Sequence, residues 1–165
     1  MKEKLLKAYM KTAKIFAECS TAVRLKVGAI VVKDNRIISI GYNGMPSGWD
    51  NTCEDRIYPN ELLDDYEQHS DEFDAMFPYA DEYGKRYKLK TKQEVLHAER
   101  NALNKLACSH ESGEGAYMFI THAPCLECAK SIYGSGIKEI YYNTEYRSID
   151  GLKFLEKCGI KITKV

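Results

Sequence analysis

The C-terminal half of the chain switches repeatedly between two hydrophobic periods, and that alternation constrains the fold more than any other feature. AYMFITH (116–122), KEIYYN (138–143) and IKITKV (160–165) are short runs rich in β-branched and aromatic residues, the pattern of buried strands. Between them, residues 125–134 follow Pro124 and end at Gly134 and Gly136, and IDGLKFLEKC (149–158) is closed by Gly159. Both intervening stretches read as helices, since proline suits a first turn and glycine an end. A strand-helix-strand run needs a crossover, so the last strands should lie parallel with right-handed connections.

The N-terminal half supplies the remainder of a sheet. Residues 2–18 place Leu5, Leu6, Tyr9, Met10, Ala13, Phe16 and Ala17 at helical spacing, and Ser20 and Thr21 break that helix. VGAIVVK (27–33) and RIISIGY (36–42) flank Asp34-Asn35, a dipeptide suited to a tight hairpin turn. GYNGMPSGWDN (41–51) reads as a loop, and VLHAERNALNKLAC (95–108) as a helix. The expected architecture is a three-layer α/β/α sandwich around a five-stranded mixed sheet. It forms a single domain over 1–165, with an insertion at about 52–93 in which helices are expected near 60–69 and 79–88.

Charge narrows the partners. The 165 residues carry 24 basic and 24 acidic side chains, a balance that disfavours a dedicated binder of long nucleic acid. Residues 54–83 hold eleven acids against Arg56 alone, leaving 23 basic and 13 acidic side chains elsewhere. That surplus suits a small anionic substrate, while the acidic stretch also fits a plain solvated face. No apolar run approaches the roughly 20 residues that span a bilayer. The N-terminus reads as an amphipathic helix, not a signal peptide, so a cytoplasmic protein is expected.

Six cysteines without a secreted scaffold point to metal. His97-Ala98-Glu99 stands at the start of one helix and Pro124-Cys125-Leu126-Glu127-Cys128 at the start of the next. Three ligands, His97, Cys125 and Cys128, leave one tetrahedral position open, the pattern of a catalytic zinc. Such a zinc lowers the pKa of water toward neutrality, and Glu99 is placed to carry protons beside it. The ordered pair H-x-E and P-C-x-x-C is the signature of zinc deaminases. Two other readings stay open. One is a polynucleotide or tRNA base editor. The other is an interaction module whose closed zinc site takes Cys53 as fourth ligand.

RLKVGAIVV (24–32), GYNGMPSG (41–48), HAERNAL (97–103) and THAPCLECAKSIYGSGIKEIYY (121–142) resemble the deoxycytidylate deaminases of the cytidine deaminase superfamily. The resemblance runs from about Cys19 to the end and is weakest across 52–93. It implies hydrolysis of dCMP to dUMP and ammonia, the step that feeds thymidylate synthesis. It also implies that Arg24, with Lys26 as a second cation, holds the 5′-phosphate and that Asn43 meets the deoxyribose or phosphate. The Ala98 N–H would face the pyrimidine carbonyl, and Tyr146 would border the nucleotide. Some such enzymes are homohexamers, activated by dCTP and inhibited by dTTP. Some also hold a second, structural zinc, for which Cys19 and Cys53, with His69 or His110, are candidates. Val95 stands where that second site would need an acid. His122 is unusual for the family, and Cys108 and Cys158 look like core residues.

Overall fold

Asp34 and Asn35 adopt φ values of 49° and 59°, the left-handed pair that a two-residue hairpin turn demands. In the computed structural model, which describes residues 1–59 and 71–165, this turn joins strands β1 (Gly28–Lys33) and β2 (Arg36–Tyr42). The expected helix near 60–69 lies outside the described residues. Helix α1 (Glu3–Glu18) precedes the hairpin. The C-terminal half forms α3 (Ala98–Ala107), β6 (Tyr117–His122), α4 (Leu126–Gly134), β7 (Glu139–Thr144), α5 (Asp150–Lys157) and β8 (Lys161–Lys164). The main sheet has the order β2-β1-β6-β7-β8. β1 pairs antiparallel with β2 and β6, whereas β6, β7 and β8 are parallel. This is the expected mixed sheet.

Alternation along the central strands builds two cores. Ala29 and Val31 of β1, Met118 and Ile120 of β6, and Ile140 of β7 face one side, where Ala98, Ala102, Ala129, Ile132 and Leu155 cover them. Ile30, Val32, Phe119 and Tyr141 face the other side against Tyr9, Met10 and Ala13 of α1. Phe119 and Tyr141 stack across neighbouring strands at 4.6 Å, a pair that adds to simple burial. Helices therefore lie on both faces, α1 on one and α3, α4 and α5 on the other.

Close approach is set by glycine. A Cβ on Gly41 would lie 2.1 Å from the Ala98 carbonyl and 2.5 Å from the Ala102 nitrogen, so only glycine lets α3 settle on β2. Helix α3 also starts later than its apolar pattern predicts. Gly44 and Leu96 exchange backbone hydrogen bonds of 3.1 and 2.9 Å, which ties Leu96 to the loop after β2 and delays the helix to Ala98.

The expected helix at 79–88 is not formed. That stretch contains β4 (Tyr79–Ala80) and the first half of β5 (Arg86–Thr91), which pairs with β3 (Glu54–Ile57) to give a sheet ordered β3-β5-β4. The Asp81 carboxylate accepts the N–H groups of Tyr83 and Lys85 at 3.0 and 2.8 Å. With Gly84 at φ 79°, it makes a turn that competes with helix. Tyr79, Tyr58 and Tyr87 then pack across the strands, with Tyr87 centroids 5.6 and 5.7 Å from its partners. A single short helix, α2 (Asp71–Met76), precedes this hairpin among the described residues.

Candidate metal centre and active-site cleft

His97 and Cys125 occupy equivalent places in the fold. Each is the N-cap of its helix, α3 and α4 respectively, with extended backbone and no side-chain capping bond. Their side chains are free to converge, and Cys128, in the first turn of α4, joins them. His97 Nδ1 lies 3.5 Å from Cys125 Sγ and 3.4 Å from Cys128 Sγ. The three donor atoms all lie within 4.8 Å of one another, the one such group of three among the described residues.

These distances suit zinc. Tetrahedral bonds of about 2.0 Å to nitrogen and 2.3 Å to sulfur put those donors about 3.5 Å apart. A His/Cys/Cys donor set is also the kind that zinc prefers, and it leaves the fourth position open. A second device holds the loop in place. A Cβ on Gly151 of α5 would meet the Pro124 carbonyl oxygen at 2.1 Å and the Cys125 carbonyl carbon at 2.9 Å. The ligand-bearing turn thus rests directly on α5.

The three ligands share protons. Hydrogen bonds with Cys128 and His97 push the Cys125 thiol down to about 3. The Cys128 thiol is pushed up by the same contact with Cys125 and by burial, and His97 is raised by its bond to Cys125. Metal binding replaces such shared protons. Glu99, in the first turn of α3, is 4 % exposed. Burial raises its carboxyl above the usual range, despite the opposing pull of His97, so it can hold a proton nearer neutral pH than a free carboxyl does.

His97, Glu99 and Cys125 line one cleft together with Ala98, His122 and Tyr146. Asn43, Glu54 and Thr91 line it as well.

Residues 3–144 match the family model described as the cytidine and deoxycytidylate deaminase zinc-binding region. The chain belongs to this deaminase family. It is 34% identical over 147 residues to the deoxycytidylate deaminase of Enterobacteria phage T4, an alignment covering 83% of this chain and 76% of that one. Its identity to the human deoxycytidylate deaminase is 32% over 139 residues, with 83% and 63% covered. The crystal structure of the dCMP deaminase of cyanophage S-TIM5 in complex with dCMP and dUMP superposes with a TM-score of 0.77. The two chains are 40% identical, with 100% of this chain and 99% of that one covered. The chain is thus a zinc-binding deaminase, a hydrolase acting on C–N bonds.

The residues expected in a deaminase site separate into three groups. His97, Cys125, Cys128, Glu99 and Ala98 come together, and the Ala98 N–H lies in the first turn of α3, where the helix ladder does not use it. Asn43 and Tyr146 border the cleft. The Asn43 side chain also accepts the Val27 N–H at 2.7 Å and donates to the Leu25 carbonyl at 2.8 Å. Arg24 is exposed and donates to Thr91 Oγ1 at 3.1 Å, placing it at the rim. Lys26 is exposed and is not a lining residue.

The candidates for a second zinc do not converge among the described residues. Cys53 is 1 % exposed in an apolar cluster with Ala22 and Val95, whereas Cys19 is exposed at the end of α1. His110 is exposed, and His69 lies outside the described residues. The same packing keeps Cys53 out of the His97 ligand group. Cys108 and Cys158 are C-caps, the first exposed and the second half-buried, so neither is a core residue. Two lining residues, Glu54 and Thr91, went unread in the sequence because they sit in a stretch whose charge suggests solvent. His122 carried a faint signal, standing two residues before Pro124. Among the described residues, no helix is long and apolar enough to cross a membrane.

Proposed function

We propose that this chain hydrolyses dCMP to dUMP and ammonia, supplying dUMP for thymidylate synthesis. The observation that carries this reading is the convergence of two helix N-caps, His97 and Cys125, on a cleft that also holds the buried Glu99. Bound zinc supplies a Lewis acid that lets water act as a nucleophile near neutral pH.

The chain's own residues carry out the remaining work. His97, Cys125 and Cys128 hold the metal. Glu99 takes the proton released by the attacking water on its carboxyl oxygen, passes it to the pyrimidine ring nitrogen, and moves a proton to the departing amine. Water and dCMP thereby give dUMP and ammonia with no other reactant. The Ala98 N–H donates to the pyrimidine carbonyl, and that anchor turns the reacting carbon toward the metal end. Tyr146 borders the nucleotide, Asn43 shapes the sugar end, and Arg24 at the rim, with Lys26 outside it, attracts the 5′-phosphate.

The same reading makes residues 1–165 one deaminase domain, with 52–93 as an insertion that reaches the cleft through Glu54 and Thr91. It extends to a cytoplasmic homohexamer, responsive to dCTP as activator and dTTP as inhibitor. The test is ammonia release from zinc-replete protein given dCMP, deoxycytidine, dCTP or single-stranded DNA. Turnover of dCMP above the others is expected. Activity on DNA alone would replace this reading with base editing, and silence on all four with zinc bound would replace it with a structural zinc site.

A further inference from the structure

Glu54 is 6 % exposed and yet lines the cleft, and among the described residues no lysine or arginine lines that cleft with it. Among the described residues its hydrogen bonds all come from backbone N–H groups. Oε1 accepts the N–H groups of Val23 and Arg24 at 3.1 and 3.2 Å, and Oε2 shares the Val23 N–H at 3.3 Å. A carboxylate has about four acceptor positions, so the Glu54 side chain keeps acceptor capacity beyond these backbone bonds. Asn43, by contrast, already spends one donor and one acceptor on Leu25 and Val27.

A buried carboxylate in a nucleotide cleft restricts what can lie beside it. It repels the 5′-phosphate, and it gains nothing from the carbonyl or unprotonated nitrogen of the base. It requires a donor. The exocyclic amine of cytosine is held at the metal end, where His97 and Glu99 stand, which leaves one donor on a deoxyribonucleotide, the 3′-hydroxyl.

We infer that Glu54 is a specificity-determining residue whose carboxylate accepts a hydrogen bond from the 3′-hydroxyl of the substrate sugar. The inference rests on the dCMP reading above. The 52–93 segment thereby contributes recognition: β3 brings Glu54 to the sugar, and its backbone bonds fix the loop that carries Arg24. The phosphate then lies toward the rim, where Arg24 contacts Thr91.

The experiment is a cycle in which enzyme and substrate are each trimmed. Wild-type protein and Glu54→Ala are assayed on dCMP and on its 2′,3′-dideoxy analogue, reading kcat and KM separately. Wild type is expected to lose roughly tenfold to hundredfold in kcat/KM on the analogue, the loss of one hydrogen bond to a charged group. Glu54→Ala should lose a similar amount on dCMP, and its two substrates should then differ by no more than about threefold. If that variant does not fold, Glu54→Gln keeps the shape with a weaker acceptor and should narrow the wild-type ratio by at least about threefold. Equal wild-type rates on both substrates would overturn the inference. So would a ratio unchanged by the substitution, which marks a residue that only holds the backbone. Failure of wild type to deaminate dCMP at all would overturn the functional reading, and the inference with it.

Discussion

Glu99 and His97 stand two residues apart on one turn of chain and meet opposite surroundings. His97 faces solvent as the N-cap of α3, while Glu99, within the first turn, is 4 % exposed. The pair divides the labour of the site. The cap residue can reach a metal ion, and the buried carboxyl, raised by desolvation, can carry a proton without losing it to bulk water.

Metal removal should separate these roles. Chelation is expected to abolish turnover and lower the melting temperature, because zinc binds the folded ligand set and stabilises it by mass action. Readdition of zinc should restore both. Cys128→Ala should lower bound zinc from about one equivalent to near none by metal analysis, since the two remaining ligands, His97 and Cys125, hold the ion poorly. Retained stoichiometric zinc in that variant would reject the ligand assignment.

Gly151→Ala should damage the metal loop from a distance. The new methyl would sit 2.1 Å from the Pro124 carbonyl oxygen, and backbone must move to admit it. A loss of about 1–3 kcal/mol in denaturant unfolding is expected, together with weaker zinc binding. Unchanged zinc affinity would show that the loop keeps its shape without α5.

Most of this arrangement can be read in the residues. The hairpin follows from Asp34-Asn35, and the parallel strands follow from the alternation after 116. The ligand group follows from two motifs at helix starts. What cannot be read has a physical cause. Tyr79, Tyr83 and Tyr87 fall four apart, a helical spacing, yet the Asp81 turn and cross-strand ring packing win. Val95 and Leu96 continue an apolar helical pattern, but the Leu96 backbone is taken by Gly44 and the Val95 N–H by the Lys92 carbonyl, so the helix waits until Ala98. Glu54 looks like one acid among eleven, because nothing local announces that its strand turns inward. Tertiary pairing decides each of these cases.

Acid should weaken the sheet through Glu139. Burial alone would raise this carboxyl, but Lys161 at 2.8 Å, with Tyr141 and Thr163, brings it below the usual range. A carboxyl depressed in the folded state stabilises fully above its unfolded pKa, about 4.3 for glutamate. That stability is lost as the pH falls through the lower folded value. Glu139→Gln should therefore be less stable than wild type at neutral pH and lose less on acidification. Parallel pH curves for the two proteins would contradict this linkage.

Asn43→Ala should cost stability as well as activity. It leaves the Val27 N–H and Leu25 carbonyl without their 2.7 and 2.8 Å partners, worth about 1–2 kcal/mol by unfolding. KM for dCMP should rise too, because the segment that Asn43 braces carries Val27, a lining residue of the cleft. A KM equal to wild type would confine Asn43 to a structural role.

The most direct test is Glu99→Gln, zinc-replete and assayed on dCMP beside wild type. The variant should bind about one zinc, melt like wild type, and release ammonia slower by roughly two to four orders of magnitude. Turnover within a few fold of wild type, with zinc bound, would contradict the assignment of Glu99 as the group that moves the protons.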